Sequence, residues 1–217
     1  MNRPIRILLA EDHEVMRAAL RSLLDACEDL LVVGEANNGR EVIGLIKTAA
    51  PDVVVMDINM PELNGIDATR QLCSSHPHVR VLGLSVHEKG RMVSAMLNAG
   101  ARGFVPKSSA ASELLDAIHT IMLGKMYISP KVLADFVESQ KREASVETVF
   151  AKLTEREREV LQLLAEGYVT KDVADKLCLS LPTIHSHRQN IMRKLSARGI
   201  ADLVRYAIRE GIISSDT

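Results

Sequence analysis

The sequence predicts a doubly wound α/β domain built on a five-stranded parallel sheet, followed by a small all-α domain. Over residues 1–124, short apolar segments alternate with amphipathic ones. Most of the apolar segments are continuous runs, without the alternation of apolar and polar residues that is typical of a strand with one face exposed to solvent. From residue 150 to residue 217, helical periodicity continues without strand-like segments. Alternating strands and helices favour a parallel sheet that right-handed crossovers cover on both faces.

The five predicted strands are short apolar runs that end at polar residues or turns. The first ends at the acidic pair Glu11 and Asp12, and the third delivers Asp57 at its carboxyl end. Because parallel strands place their carboxyl ends on one edge of the sheet, ligands gather at that edge. The strands are predicted at residues 5–10, 31–36, 53–56, 79–84 and 103–105.

The segments between these strands are predicted to be amphipathic helices. The first has apolar residues at helical spacing from Val15 to Leu24. Asn38 can cap the second helix, which runs to about residue 47, and Gly100 can end the fourth in a left-handed conformation. The remaining helices of this domain are predicted at about residues 65–74, 89–98 and 110–123.

Residues 125–149 are predicted to be a linker, helical in part, because short amphipathic pieces there flank a polar stretch. After the linker, Thr154 and Glu157 have the spacing of a capping box, which begins a helix. Ser180 can cap a later helix that has Pro182 in its first turn. The C-terminal domain, residues 150–217, is therefore predicted to have helices at about 155–165, 170–177, 181–195 and 199–210.

The composition excludes several classes of protein. Hydrophobic residues make up 47% of the 217 residues and charged residues 25%, as in ordinary soluble domains. No apolar run is long enough to span a membrane and no signal region opens the chain, so we expect a cytoplasmic protein without membrane contact. Cys27, Cys73 and Cys178 lie in apolar stretches without metal-ligand spacing, which predicts buried, reduced thiols and no zinc site.

The distribution of charge differs between the two predicted domains. Residues 1–126 contain 13 Lys and Arg against 15 Asp and Glu, a balance of −2. Residues 152–211 contain 11 against 8, a balance of +3. This modest contrast favours an anionic partner for the C-terminal domain.

Acidic residues, a hydroxyl and an ammonium are predicted to meet at the carboxyl edge of the sheet. Glu11, Asp12 and Asp57 end two strands that are neighbours in a doubly wound sheet, and crowded carboxylates repel one another unless a cation lies between them. Such oxygen ligands match Mg²⁺. Ser85 ends the fourth strand and Lys107 follows the fifth. This set suits phosphoryl transfer, because the cations and the hydroxyl stabilise the phosphoryl oxygens while a carboxylate attacks.

Four motifs give the first domain a resemblance to the receiver domain of two-component response regulators, a flavodoxin-like fold. They are Leu-Leu-Ala-Glu-Asp-His at 8–13, Val-Met-Asp-Ile-Asn-Met-Pro-Glu-Leu-Asn-Gly at 55–65, Gly-Leu-Ser-Val-His at 83–87 and Gly-Phe-Val-Pro-Lys at 103–107. The resemblance implies that Asp57 accepts a phosphoryl group from a sensor histidine kinase. It also implies that Asp12, Asp57 and the backbone carbonyl of Asn59 bind Mg²⁺, with Glu11 acting through water.

The same resemblance implies how the domain switches. Ser85 would be the switch hydroxyl, Lys107 the phosphate contact and Phe104 the aromatic residue whose rotamer follows Ser85. Phosphorylation adds negative charge that draws Ser85 and Lys107 toward it, and the space left by Ser85 lets Phe104 turn inward. Many receivers have threonine in place of Ser85 and some have tyrosine in place of Phe104, but the hydroxyl and the ring are kept.

In the C-terminal domain, a short helix is followed by a longer one that is rich in hydrogen-bond donors and cations. On the longer helix, apolar residues such as Ile184 and Ile191 can face the core while the polar residues point outward. This is the helix-turn-helix arrangement, in which the second helix fits the major groove of DNA. On charge alone, an ordinary solvated helix face is the competing interpretation.

Residues 150–213 resemble the LuxR-type helix-turn-helix domain in two segments, 153–161 and 183–195. A receiver followed by this domain is the NarL/FixJ subfamily of transcription regulators. The resemblance implies a homodimer contact through Leu203, Tyr206 and Ala207 of the last helix. It implies DNA contacts by Lys171, Thr183, His185, Ser186, His187, Arg188, Gln189 and Lys194, of which His185, Ser186 and Gln189 would enter the groove.

One departure and two alternatives bear on this interpretation. Relatives often have lysine or glutamate where His185 stands, so base preference cannot be borrowed from them. One alternative is a regulator that is active without phosphorylation. The other is a Mg²⁺-dependent phosphatase for small molecules, which would leave the C-terminal half unexplained. We expect a DNA-binding regulator rather than an enzyme.

Overall fold

The computed structural model describes residues 3–86, 90–143 and 152–213, with the backbone alone at 140–143. The N-terminal domain contains a sheet in the order β2-β1-β3-β4-β5-β6, in which every neighbouring pair is parallel. The strands are β1 (Ile5–Ala10), β2 (Leu30–Ala36), β3 (Val53–Asp57), β4 (Arg80–Ser85), β5 (Gly103–Pro106) and β6 (Tyr127–Ile128). The predicted doubly wound fold is confirmed, with six strands in place of five.

Both faces of the sheet are buried, which explains why its strands are almost wholly apolar. Leu8 of β1 and Val54 of β3 belong to one core, whereas their chain neighbours Ile7 and Val53 belong to the core on the opposite face. One face is covered by α1 (Glu14–Asp25) and α5 (Ala111–Met122). The other is covered by α2 (Gly39–Ala49), α3 (Gly65–Ser75) and α4 (Gly90–Asn98). As predicted, Asn38 caps α2 by accepting from the Glu41 N–H.

Residues in the predicted linker add a strand and a helix to the N-terminal domain. The short β6 extends the sheet beside β5, and α6 (Pro130–Glu143) follows it. Val132 is fully buried and Phe136 partly buried in the core beneath α4. The backbones of α4 and α6 approach so closely that a Cβ atom on Gly90 would lie 2.2 Å from the Asp135 carbonyl oxygen. The amphipathic pieces noted in the sequence are therefore packed rather than extended.

Between residues 153 and 213, the C-terminal domain has four helices around one core. They are α7 (Glu155–Ala165), α8 (Thr170–Leu177), α9 (Leu181–Leu195) and α10 (Ile200–Glu210). The predicted capping box is present, since Thr154 accepts from the Glu157 N–H and Glu157 accepts from the Thr154 N–H. Ser180 caps α9 as predicted. Leu161 of α7, Ile184 of α9 and Leu203 of α10 meet in the core.

The cysteine expectation was right about free thiols and wrong about burial. Cys27 and Cys73 are only partly buried, and Cys178 is exposed. Cys178 ends α8 with φ at +52°, in the left-handed region, so its side chain points away from the core stripe that precedes it. Apolar periodicity up to Leu177 did not extend to this capping position.

The two domains contact each other through a polar face of α7. We call this surface the α7 docking face. It consists of Arg158, Glu159 and Gln162 together with Glu166, which caps the C-terminal end of the helix, and it lies against the N-terminal domain. A second contact joins Arg91 Nη1 of α4 to Glu210 Oε2 of α10 at 3.2 Å. Across the described part of the chain, no helix combines the length and apolar character needed to cross a membrane.

Candidate functional site

The predicted carboxylates do meet at the carboxyl edge of the sheet. In the pairing of β1 with β3, Ala10 lies opposite Met56, so the residues that follow them, Glu11 and Asp57, emerge side by side. Glu11 is fully buried and Asp57 is 2% exposed, while Asp12 keeps a partly exposed carboxylate. The strand register therefore places one accessible and two buried carboxylates together.

Lys107 brings the compensating charge. Its Nζ lies 2.6 Å from Glu11 Oε2 and 3.0 Å from Asp57 Oδ2. Its position depends on the end of β4, because the Lys107 N–H donates to the Ser85 carbonyl at 2.8 Å. The ammonium and the Ser85 residue thus reach the site on adjacent strands, as the sequence predicts.

Burial and charge act against each other on the two central groups. Burial raises the pKa of Asp57 to about 6, with Lys107 opposing the shift and Glu11 adding to it. Burial also opposes the charged form of Lys107, yet the Asp57 and Glu11 carboxylates raise the pKa of its ammonium above the ordinary value. The Asp57 carboxylate is thus desolvated next to another carboxylate, an arrangement that favours binding of additional positive charge.

The site fits a divalent cation by a test that is independent of resemblance. Among the described residues, Glu11 Oε2, Asp57 Oδ2 and Asn59 Oδ1 are buried without a hydrogen-bond partner of good geometry, although Lys107 lies within ion-pair distance of the first two. Three carboxylates, counting Asp12, face this one ammonium. A hard cation with oxygen ligands would balance the remaining charge, which agrees with the Mg²⁺ predicted from the sequence.

His13 lies beside the acidic residues, although its sequence position did not lead us to predict it as a site residue. Potential ligand atoms of Glu11, Asp12 and His13 lie within 4.8 Å of one another, and His13 Nδ1 is 2.8 Å from Asp12 Oδ1. The Asp12 carboxylate raises the pKa of this imidazole. Its position directly after two acidic residues was the available signal. Because the ring is largely exposed, it lies at the mouth of the site.

The two predicted switch residues are both buried behind the site. Ser85 is 1% exposed at the end of β4, and Phe104 is fully buried on β5. A Cβ atom on Gly83 would lie 3.5 Å from Phe104 Cδ2, so the ring packs over the bare backbone of the neighbouring strand. The Phe104 ring is thus buried in this structure, and its change of rotamer on phosphorylation stays a prediction.

The predicted DNA-binding face of α9 is open to solvent. His185, Ser186 and Gln189 are exposed side by side, on the side opposite to the buried Ile184 and Ile191. The other residues predicted to contact DNA differ in their exposure and in their partners. Lys171 is exposed, and Thr183, His187 and Arg188 are half-buried. Lys194 pairs with Glu157 of the capping box at 2.6 Å.

The predicted dimer residues lie inside the C-terminal domain. Leu203 and Ala207 are fully buried and Tyr206 is 9% exposed, all within the core that α10 shares with α7. The exposed apolar side chains of α10 include Ile200 and Ile208. The dimer contact stays a prediction, and in this conformation a partner would first meet the exposed side chains.

Comparison with known proteins identifies both domains. A family model of the response regulator receiver domain matches residues 7–119, and a model of bacterial regulatory proteins of the luxR family matches residues 151–207. The chain belongs to the NarL/FixJ response regulators. It is a DNA-binding response regulator that controls transcription, as the sequence predicted. Receiver domains of this family generally bind Mg²⁺ at an acidic pocket, which corresponds here to the cluster around Glu11 and Asp12.

Individual relatives extend the match over nearly the whole response regulator. The chain is 33% identical to the response regulator UvrY of Escherichia coli K12 over 213 residues, 98% of each chain. It is 32% identical to GacA of Pseudomonas aeruginosa over 211 residues, 97% of this chain and 99% of that one. Among solved structures, it is similar to RcsB of Salmonella enterica serovar Typhimurium bound to promoter DNA with the phosphomimetic BeF₃⁻, at 25% identity, a TM-score of 0.62 and coverage of 94% and 98%.

Proposed function

We propose that a sensor histidine kinase phosphorylates Asp57 and that this controls homodimer formation and operator binding by α9. The observation that carries the proposal is the environment of Asp57, a nearly buried carboxylate with Lys107 Nζ at 3.0 Å and Glu11 beside it. Burying a carboxylate without its full set of hydrogen bonds costs free energy, and carboxylates whose pKa is perturbed in this way cluster at functional sites.

The chain's own residues account for the transfer. An Asp57 oxygen forms a bond to phosphorus while the bond from phosphorus to the donor breaks, and the electron pair leaves with the donor. Lys107 and the Ser85 hydroxyl would contact the new phosphoryl oxygens. Asp12, Asp57 and the Asn59 carbonyl would hold Mg²⁺, with Glu11 acting through water. The bound cation would neutralise charge on the phosphoryl group.

The exposed face of α9 supports the DNA-binding half of the proposal. His185, Ser186 and Gln189 can reach base edges in a major groove, since nothing in the described N-terminal domain covers them. Lys171, Thr183, His187, Arg188 and Lys194 surround them at positions suited to the phosphate backbone. Binding of RcsB to promoter DNA is the corresponding activity of a relative.

Homodimer formation completes the proposal. Two DNA-binding domains related by a two-fold axis would contact two half-sites of an operator. We infer that α10 supplies the contact. Leu203, Tyr206 and Ala207 would fix the position of the helix by packing in the core, and the exposed Ile200 and Ile208 would contact the partner. We further infer that the protein works in the cytoplasm, where its kinase and DNA partners are accessible.

The test is intact mass after incubation with Mg²⁺ and acetyl phosphate, for the native chain and Asp57→Asn. DNA binding is measured on the same samples, using duplexes selected from a random pool by the native protein. We expect one added phosphoryl group on the native chain only, together with tighter DNA binding. The asparagine variant keeps the size of the side chain, so a difference reports the carboxylate.

Two outcomes would favour the alternatives. Quantitative phosphorylation with unchanged DNA affinity and oligomeric state would support a regulator that works without phosphorylation. Turnover of small phosphate esters well above one self-dephosphorylation cycle would support a phosphatase. If acetyl phosphate does not phosphorylate the native chain, the site is tested with BeF₃⁻, which binds next to the aspartate without a phosphoryl transfer.

A further inference from the structure

The segment between β3 and α3, residues 58–64, is the first piece of chain after Asp57, and its backbone is wound tightly against that residue. A Cβ atom on Gly65 would lie 1.9 Å from the Asp57 carbonyl oxygen, so only glycine fits there. The Gly65 N–H donates to the Ile58 carbonyl at 2.8 Å. On the other side, the Gly39 N–H donates to the Leu63 carbonyl at 3.0 Å. With so little free space, a shift at Asp57 must move this segment.

The C-terminal domain forms hydrogen bonds with the same segment through one buried glutamine. Gln162 of α7 is fully buried, and its Nε2 donates to the Met60 carbonyl at 2.9 Å. Its Oε1 accepts from the Asn64 backbone N–H and from Asn64 Nδ2, both at 2.9 Å. One side chain therefore satisfies a donor and an acceptor of the segment backbone, which is specific for its present conformation.

Neighbouring residues of the C-terminal domain add further contacts to this segment and to the start of α3. Arg158 Nε donates to Asp67 Oδ1 at 2.7 Å, and Asp67 N–H donates to Asn64 Oδ1 at 2.9 Å. The Glu62 N–H donates to the Glu166 carboxylate at 3.0 Å, although Glu62 itself has φ at +65°, a strained value for a residue with a side chain. The segment is thus held in a costly conformation by residues of the other domain.

We propose that the β3–α3 segment couples the two domains, with Gln162 as a positioning residue that holds it in the unphosphorylated conformation. The inference rests on the proposed phosphorylation of Asp57. The segment carries the Asn59 carbonyl assigned to the cation, one residue from the Met60 carbonyl that Gln162 holds. Phosphorylation and docking of α7 then disfavour each other. The signal reaches the DNA-binding domain directly through this segment, and the α9 face needs no uncovering.

Thermodynamic reciprocity makes the proposal testable at equilibrium. If docking weakens binding at the Asp57 site, ligand binding at that site must weaken docking by the same factor. The full chain is compared in three forms. They are the native chain, Gln162→Leu, which keeps the size of the side chain but not its hydrogen bonds, and Asn98→Leu, which removes an amide from an exposed position at the end of α4. Thermal unfolding confirms that each form is folded.

The measurements are the affinity for BeF₃⁻ with Mg²⁺ by calorimetry and hydrogen exchange of residues 58–64 and 155–165. We expect Gln162→Leu to bind BeF₃⁻ about fivefold more tightly, the lower end of typical coupling between sites, and to exchange faster in both segments. In the native chain, BeF₃⁻ should accelerate exchange in α7. Asn98→Leu should match the native chain in each measurement.

Three results would overturn the coupling. One is faster exchange in Gln162→Leu with BeF₃⁻ affinity equal to the native value, which would make Gln162 a purely structural contact. Another is native α7 exchange that does not respond to BeF₃⁻. Should Gln162→Leu remain docked, Gln162→Leu combined with Arg158→Met is compared in the same way, and equal affinity again contradicts the proposal. A native chain that binds no BeF₃⁻ would instead contradict the proposed function.

Discussion

Two helices of the C-terminal domain, α7 and α9, present polar faces that look alike in sequence and meet different surroundings. On α9, His185, Ser186 and Gln189 are exposed to solvent. On α7, Arg158 is 4% exposed and Gln162 is fully buried, because they lie against the receiver domain. A polar stripe at helical spacing thus shows which side of a helix avoids its own core, and not what that side contacts.

The difference also separates two uses of charge. The α7 docking face matches fixed partners at short distance, as when Gln71 Nε2 and Arg40 Nη2 both donate to the Glu159 carboxylate, at 2.8 and 3.2 Å. On α9, the side chains of His185, Ser186 and Gln189 are exposed and can adapt to a polyanion. Substitutions on α7 should therefore change domain docking and stability, whereas those on α9 should change DNA binding and its salt dependence.

The largest effect is expected for Arg158→Met. The change leaves the Asp67 carboxylate buried, with only Arg70 Nη1 at 2.6 Å as a cationic partner among the described residues. Removing one partner of a buried ion pair costs about 3 kcal/mol, here taken from docking of the domains. In urea, two separate unfolding transitions should replace one. The control Arg193→Met, on the exposed face of α9, should keep the native curve; a native curve for Arg158→Met as well would show that docking does not depend on this pair.

A smaller effect is expected for Gln189→Ala. A bidentate contact from an amide side chain to adenine contributes about 2 kcal/mol of discrimination, so affinity for a selected duplex should fall roughly thirtyfold while binding to random duplex stays unchanged. Fluorescence anisotropy with both duplexes measures this. The control Gln162→Ala should not alter the ratio of specific to random binding. An equal loss on both duplexes would place Gln189 at the phosphate backbone instead.

Much of the site could be predicted from sequence because it depends on local order along the chain. Asp57 ends one apolar strand and Lys107 follows another, and parallel pairing brings strand ends together. The α7 docking face could not be predicted, since Gln162 meets residues about a hundred positions away and a solvated helix has the same pattern. For the same reason, the packing of α6 against the receiver could not be predicted. The apolar residues Val132 and Phe136 show that the helix has an apolar side, but the surface they pack against exists only in the folded receiver.

Next in size is the salt dependence of DNA binding for the cations near α9. Alanine at Lys171 or Arg188 should reduce the slope of log affinity against log salt concentration by about one unit. Lys194 should give a smaller change, because its ammonium already pairs with Glu157 at 2.6 Å. Titrations at four salt concentrations are sufficient. Unchanged slopes for Lys171→Ala and Arg188→Ala would mean that the DNA lies on another face.

The smallest effect is expected for Glu166→Gln on the α7 docking face. Burial raises the pKa of Glu166, Glu62 adds to the shift, and the Gln162 amide, the Glu62 N–H and Lys176 oppose it. Because the docked pKa lies above the ordinary value of 4.5, docking favours the protonated acid and is weakened as pH rises through the docked pKa. At neutral pH the uncharged glutamine should therefore dock slightly more tightly, seen as slower hydrogen exchange of residues 155–165. The difference from the native chain should shrink as pH falls toward 4.5, whereas a constant difference would assign the effect to packing and not to charge.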